Sequence, residues 1–383
     1  MKTNMKMTNK LFQNLIGLFL LFLLAACKEE YYPKVKSSEQ SALVVEGVLN
    51  SGSGPTTIKL SRTFKLDDTA RLKPETAAQV RVEEKDGAAF PLYDVSGTGN
   101  YSADQLALNP ATQYRLYIKT TNGNEYASDF VSVLKNPPID SVNWRLQPDG
   151  VHIYVSTHNQ ENDTRYYRWE YDETWEIHSN YYATWKLVDG APQKILPPEQ
   201  YYTCWRYNQF PGILLGSTTQ LASDVIFEKP LIFIPINTDR LSVRYSVLVR
   251  QYALDKAGYD FFQLIKKNTE SVGSIFDAQP VEITGNIHAI SNTSEPVIGY
   301  ITAAPVQENR IYITADQVPD WDFRLQCKTV NVPNKRDSFP IYYGGDLLPY
   351  GANEPFITTY YSAPPECVDC RVRGGVTEKP SFW

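Results

Sequence analysis

Between Arg165 and His178 the chain alternates almost without a break. Tyr167, Trp169, Tyr171, Trp175 and Ile177 fall on one parity, and Arg168, Glu170, Asp172, Glu176 and His178 on the other. A helix would scatter these rings around its circumference, whereas a strand gathers them on one face. The spacing therefore predicts one long β-strand with an aromatic face on a core and a charged face in water. Leu241, Val243, Tyr245, Val247 and Val249 repeat the pattern. With 26 Tyr and 7 Trp, the composition favours sheet over helix throughout.

Short strand-like runs fill the region before it. Leu43 to Leu49, Thr57 to Arg62, Gln79 to Glu83 and Tyr114 to Ile118 follow one another, with Asp86-Gly87 and Asn122-Gly123 as turns. Asp-Gly and Asn-Gly tolerate the positive φ of tight hairpins. Such spacing predicts an immunoglobulin- or fibronectin-like β-sandwich over residues 43–136, ended by Asn136-Pro137-Pro138, where Pro cannot donate to a sheet. A second sandwich is expected over 137–316. Within it lie a Pro- and Tyr-rich insertion at 179–235 and a helix at 255–268, with Asp255 as N-cap and Phe261, Phe262, Leu264 and Ile265 as its apolar stripe. Val297 to Ile301 and Arg310 to Ile313 read as its closing hairpin. Residues 317–383 read as a loop-rich tail. The fold class is mostly β, with two sandwiches, one short helix and a tail stapled by disulfides.

The N-terminus fixes an address. Lys2, Lys6 and Lys10 precede an apolar run from Leu15 to Ala26, too short to cross a hydrocarbon core of roughly 30 Å. Leu24-Ala25-Ala26-Cys27 matches the bacterial lipobox, so 1–26 reads as a lipoprotein signal peptide and Cys27 as the acylated first residue. Each buried CH₂ adds about 0.8 kcal/mol of membrane affinity, so several acyl chains anchor nearly irreversibly. Residues 27–42 form a polar tether. Its start, Lys28-Glu29-Glu30, resembles the export signal that carries lipoproteins of Bacteroidota to the outer face of the outer membrane.

Removing Lys2, Lys6 and Lys10 from 37 basic residues leaves 34 against 43 acidic ones, a formal −9. That balance argues against nucleic-acid partners. Four cysteines remain beyond Cys27: Cys204, Cys327, Cys367 and Cys370. An even number in an exported chain reads as two disulfides. A bond between Cys367 and Cys370 would close a very small, strained ring. Each is therefore expected to reach a distant partner, one Cys204 and the other Cys327, in either order.

Several pieces, in order and spacing, resemble an outer-membrane lipoprotein family of Bacteroidota known as domain of unknown function 4249. They are Leu43-Val44-Val45-Glu46-Gly47, Ile139-Asp140-Ser141, Tyr167-Arg168-Trp169, Gly285-Asn286-Ile287-His288, Cys367-Val368-Asp369-Cys370-Arg371 and the ending Lys379-Pro380-Ser381-Phe382-Trp383. The resemblance implies a β-rich surface lipoprotein, often encoded beside a TonB-dependent outer-membrane receptor, and brings no catalytic residues.

The residues themselves offer little chemistry. His152 and His158 share strand parity but lie about 20 Å apart along an extended strand, too far to share a metal. His178 lies with Asp172 and Glu176 along one face, and His288 stands alone. Carboxylate neighbours such as Glu83-Glu84 and Asp67-Asp68 could in principle make a glycosidase pair, but nothing selects one. No nucleophile elbow, zinc-binding helix, P-loop or dinucleotide fingerprint occurs. Catalytic residues, metal ligands and cofactors are therefore not expected. Tyr181, Tyr182, Trp185, Tyr201, Tyr202 and Trp205, in the insertion, are the candidates for stacking on a ligand. The reading is a non-enzymatic surface lipoprotein that captures or retains a ligand for a TonB-dependent transporter. Its rivals are a glycan-active enzyme and a structural or adhesive envelope protein.

The lipobox reading makes a direct prediction. Metabolic labelling with a palmitate analogue tags the wild-type chain and not Cys27→Ser; equal labelling of both removes the anchor.

Overall fold

A computed structural model describes residues 41–63, 73–196, 199–270, 283, 285–321, 323 and 325–383. Cys27, Lys28, Glu29, Glu30, the signal peptide and residues 27–40 of the tether lie outside the described residues, as do Asp67 and Asp68.

The described chain is mostly β. In its first part Leu43–Gly47 pairs antiparallel with Thr56–Arg62 and, along its other edge, parallel with Val297–Gly299. A second sheet runs in the order Ile287–Ala289, Glu125–Ser128, Gln113–Lys119, Gln79–Glu84, Ala89–Leu92. Leu43, Ile58, Leu60, Val82, Leu116 and Ile118 come from both sheets and share one fully buried core. The hairpin turns fall where the dipeptides place them, with positive φ at Asp86 and Gly123.

This part is not built from the contiguous segment 43–136 that the spacing suggests. It is completed by residues 286–304, and Val297–Gly299 and Gln307–Thr314 do not form a hairpin with each other. Gln307–Thr314 pairs instead with Arg244–Leu254. Both segments do form strands, but pairing is decided by distant partners, which local composition does not report. One sequence clue existed: Leu43-Val44-Val45 and Val297-Ile298 are uninterrupted apolar runs, the usual appearance of parallel strands flanked on both sides. The Gly285-Asn286 piece serves this return. A Cβ on Gly285 would lie 1.6 Å from the Gly299 carbonyl oxygen, so only glycine fits. The Asn286 side chain donates to the Ile301 carbonyl and accepts from its amide, both at 2.8 Å. Arg62 seals the same join through Glu75 at 2.7 Å and buried Glu295 at 2.8 Å.

In the second part, Tyr166–His178 runs at the centre of a sheet ordered Thr203–Gln209, Tyr166–His178, Arg244–Leu254, Gln307–Thr314. A three-stranded sheet of Ile139–Gln147, Gly150–Asn159 and Asp224–Pro235 faces it across a core. Tyr167, Trp169, Tyr171, Trp175 and Ile177 are all buried there, as their parity predicts. Glu173 shares that buried face and accepts hydrogen bonds from Asn208 at 2.7 Å, Tyr245 at 2.8 Å and Arg240 at 3.1 Å. The opposite face is not simply in water. Arg168 is clasped by the Tyr252 and Phe262 rings, Arg250 bridges Asp172 and Glu308, and the Trp383 indole donates to Glu176. A helix, Lys256–Glu270, and the residues Phe382 and Trp383 cover it, because paired charges and ring faces can be roofed without loss. Asp255 caps the helix, its Oδ1 accepting from the Gly258 amide at 2.7 Å. Two one-turn helices, Phe339–Tyr342 and Pro365–Val368, add to it.

Two further expectations change. Most of 179–235 is not an insertion: Thr203–Gln209, Leu214–Ser217 and Asp224–Pro235 are integral strands of the second part. Only the hairpin Trp185–Val188 and Ala191–Lys194 is appended. The tail is not loop-rich throughout either. Val330–Pro333, Thr359–Ala363 and Leu348–Ala352 form a sheet with a small core of Trp185, Val332, Tyr343 and Tyr360. Pro, Gly and Asn interrupt these strands often enough to hide their period.

The two parts meet at Asn136-Pro137. Fully buried Gln251 donates to the Pro137 carbonyl at 2.8 Å and accepts from the Trp169 indole at 3.0 Å. Asn136 donates to the carbonyls of Gln251 and Pro305, both at 2.8 Å. Gln251→Leu keeps the volume but strands the Trp169 indole inside the core. A buried group left unpaired costs about 1–3 kcal/mol, so unfolding in urea is expected to show a loss of at least about 2 kcal/mol. A loss below about 0.5 kcal/mol would show that this network does not hold the join.

Candidate binding grooves

Each sheet of the second part has two edges, and where unlike edges approach they leave an open seam. One seam lies between Ile139–Gln147 and Gln307–Thr314, with a volume of about 670 Å³. Trp144, Arg145, Arg310 and Tyr312 line it. Its charges are occupied: Arg145 pairs with Glu228, and Arg310 lies 3.6 Å from the centre of the Phe382 ring.

The other seam, about 530 Å³, lies between Thr203–Gln209 and Asp224–Pro235. Its floor is Trp175, buried on the central strand, with the guanidinium carbons of Arg206 and Arg240 at 5.1 and 5.4 Å from the ring. Asp239 accepts from Arg206 at 2.8 Å and from Arg373 at 3.2 Å, both on Oδ2. Tyr207 on one wall is 53% exposed and Phe233 on the other 46%. Phe233 follows buried Ile232 and precedes buried Ile234, so the period of two puts a large ring outward.

The six insertion aromatics behave differently. Tyr181 stacks on Tyr350 at 4.2 Å, Trp185 meets Tyr360 edge-on at 5.1 Å, and Tyr201 lies under Arg371 at 3.7 Å. Trp205 is buried beside Trp383. Tyr181 and Trp185 dock the C-terminal sheet onto the second part, and Tyr201 and Trp205 hold the residues that follow it. Tyr182 is exposed and leans on Tyr202, which in turn packs on His178. None of the six lines either seam.

The cysteines pair as Cys204–Cys370 and Cys327–Cys367. The four histidines stay apart, each beside its own carboxylate: His152 with Asp149, His158 with Asp140, His178 with Glu176 and His288 with Asp129. Among the described residues, no three His, Cys, Asp or Glu are grouped to hold a metal. Glu83 is gripped by Arg81 at 2.6 Å and Arg115 at 2.7 Å. Burial pushes its carboxyl upward, but the two guanidinium bonds outweigh that and hold it below the usual range. A carboxylate held ionised in this way is a poor proton donor.

The profile of the family described as domain of unknown function (DUF4249) matches residues 28–310. No curated protein matches the chain. Among solved structures, one described as manganese lipoxygenase of Gaeumannomyces graminis with partial zonadhesin of Komagataella pastoris aligns at 11% identity. That alignment covers 72% of this chain and 96% of the other, with a TM-score of 0.17. A chitinase of Bacillus thuringiensis aligns at 10% identity over 48% of this chain and 30% of its own, with a TM-score of 0.15. At such scores neither likeness bears on fold or function.

Glu176 offers a pH test of how the far end of the chain is held. The hydrogen bond from His178, and then that from Trp383, keep its carboxyl below the usual range despite burial. A carboxylate depressed in the fold contributes stability above its unfolded value of about 4.3, and loses it as pH falls through the folded one. Wild type is therefore expected to be more stable than Glu176→Gln at pH 7. The gap should close as pH drops below about 4 in denaturant titrations. A gap that does not change with pH would refute the ionised Glu176 contact.

Proposed function

We propose that this chain, which belongs to the family of domain of unknown function 4249, is a surface lipoprotein of the outer membrane. In this reading it captures or retains a ligand for a TonB-dependent transporter and performs no chemistry itself. The address rests on Leu24-Ala25-Ala26-Cys27 and Lys28-Glu29-Glu30, and the partner on what membership of the family implies.

The observation that carries the binding reading is the character of the seams. Both are open troughs between rigid sheet edges, lined by rings and by arginines already paired with carboxylates or rings. Catalysis by a carboxylate pair needs one group held protonated and one free. Here the carboxylates of the walls, Glu228 and Asp239, each face a guanidinium. Such a lining suits holding a molecule better than cleaving it. The concave surface that Thr203–Gln209 and Asp224–Pro235 build also favours ligand binding over a purely structural or adhesive role.

Affinity capture of the lipidated protein from native outer membranes tests the reading. A TonB-dependent receptor is expected in near-equal amount. The variant with Lys28, Glu29 and Glu30 all changed to Ala stays acylated, is retained inside and should lose that receptor. Capture without any such receptor overturns the proposal.

A further inference from the structure

We infer that the seam between Ile139–Gln147 and Gln307–Thr314 takes an extended peptide, which adds as a strand to the open edge of Ile139–Gln147. The peptide is then the ligand of the capture reading above, on which the assignment rests.

The backbone of the two walls selects that ligand. The turn Pro148-Asp149 has two residues, so Gln147 and Gly150 are a hydrogen-bonded pair. Such pairs recur at every second residue of an antiparallel ladder, so Arg145 and Asn143 bond across to His152 and Tyr154. The N–H and C=O groups of Val142, Trp144 and Leu146 therefore point away from their own sheet, toward the seam. On the facing wall Ala315 donates to the Val243 carbonyl at 2.9 Å, which sets the same alternation. Ile313 and Ile311 bond to Tyr245 and Val247, and the backbone of Arg310 and Tyr312 points outward. The two strands do not pair with each other. Among the described residues, none of these outward backbone groups has a hydrogen-bond partner.

Other long edges are blunted. Asp224–Pro235 carries Pro230, Pro235 and a left-handed residue at Glu228, and Thr203–Gln209 has Val376 bonded to Trp205. Proline, bulges and cover are how sheets keep foreign strands off an edge. Ile139–Gln147 has no Pro, Gly or Lys in its nine residues. Its side chains set the pattern of the guest. Trp144 stands opposite buried Ile153, and both Trp144 and Ile311 pack on the core. A guest residue facing Trp144 points the same way and is apolar. The next residue, facing Arg145, points outward, where Arg145 is already paired with Glu228, and is polar without charge. The second wall favours a free strand over a second copy of this chain. A sheet edge would bring its own neighbour about 4.8 Å behind it, where Gln307–Thr314 already stands.

The test is selection of a random dodecapeptide library, displayed on phage, against the full lipidated protein in detergent micelles. Peptides with alternating apolar and uncharged polar residues are expected to be enriched. A synthetic copy of the strongest binder is then titrated by fluorescence polarisation. N-methylation of one alternate set of its amides should weaken binding at least tenfold more than methylation of the other set, the signature of pairing along one edge. Leu146 is 41% exposed and its N–H faces outward, so Leu146→Pro removes an edge donor and leaves the ladder intact. That variant should lose binding tenfold or more with thermal unfolding close to wild type, while Leu146→Ala keeps it. No enrichment, indifference to N-methylation, or equal binding by Leu146→Pro overturns the inference. So does a wild-type dimer that Leu146→Pro dissolves, which gives the edge to a second copy. Receptor capture by Leu146→Pro is read separately: retained receptor with no peptide binding by wild type sinks the peptide site alone.

Discussion

Gln251 is a polar side chain placed where nothing polar can be left unpaired, and much of the architecture follows from satisfying it. Its amide takes the Trp169 indole on one side and the Pro137 carbonyl on the other, while Asn136 ties Gln251 to Pro305. Three segments far apart in sequence must arrive together before any of these bonds forms. In a low-dielectric interior such a network is costly half-made and specific when complete. It turns what reads as a flexible linker into a fixed joint. The return of residues 286–304 to the first part, sealed by Arg62 and Glu295, makes the same demand from the other side.

A sandwich whose sheets do not close has edges, and exposed edges invite pairing with other chains. This chain manages them unevenly. The outer face near Gln307–Thr314 is roofed by Phe382 and Trp383, with Tyr312 donating to the Phe382 carbonyl at 2.5 Å. Arg244 lies against both the Tyr312 and Trp383 rings. The Trp175 seam has no such roof, and its walls carry rings and paired charges instead.

How much of this was legible in the sequence depends on whether a feature is local. The alternation from Arg165 to His178 placed its buried rings correctly because a period of two is a property of the segment itself. Asp86-Gly87, Asn122-Gly123 and the Asp255 cap were readable for the same reason. The closing hairpin drawn between Val297 and Ile313 failed because the two strands pair elsewhere, one with Leu43–Gly47 and the other with Arg244–Leu254. The candidate site failed in a related way. Tyr181, Trp185, Tyr201 and Trp205 looked like a surface cluster, but a sheet assembled from residues 330–363 packs on the first two and the residues after it, Arg371 and Trp383, on the others, and local pattern does not announce those contacts. Phe233 was hidden inside an apolar run whose parity, read strictly, would have exposed it.

The C-terminal region explains why one wall of the Trp175 seam is held and not a loose edge. Thr203–Gln209 carries Arg206 and Tyr207 yet is an outermost strand, which by itself would fray. Cys204 near its start is bonded to Cys370, closing a span of 166 residues. In the chain-entropy view, closing a loop this long contributes about 3–5 kcal/mol. The contact is tight: a Cβ on Gly375 would lie 2.5 Å from Cys204 Cβ, so only glycine lets the tail pass. Trp205 and Val376 then exchange backbone hydrogen bonds at 2.8 and 2.9 Å, which gives the edge strand a partner. Arg373 reaches past the strand to Asp239. The same short segment thus clamps the wall covalently, pairs its backbone and supplies one of its charges. In the capture reading proposed above, fixing a wall before a ligand arrives lowers the ordering cost of binding.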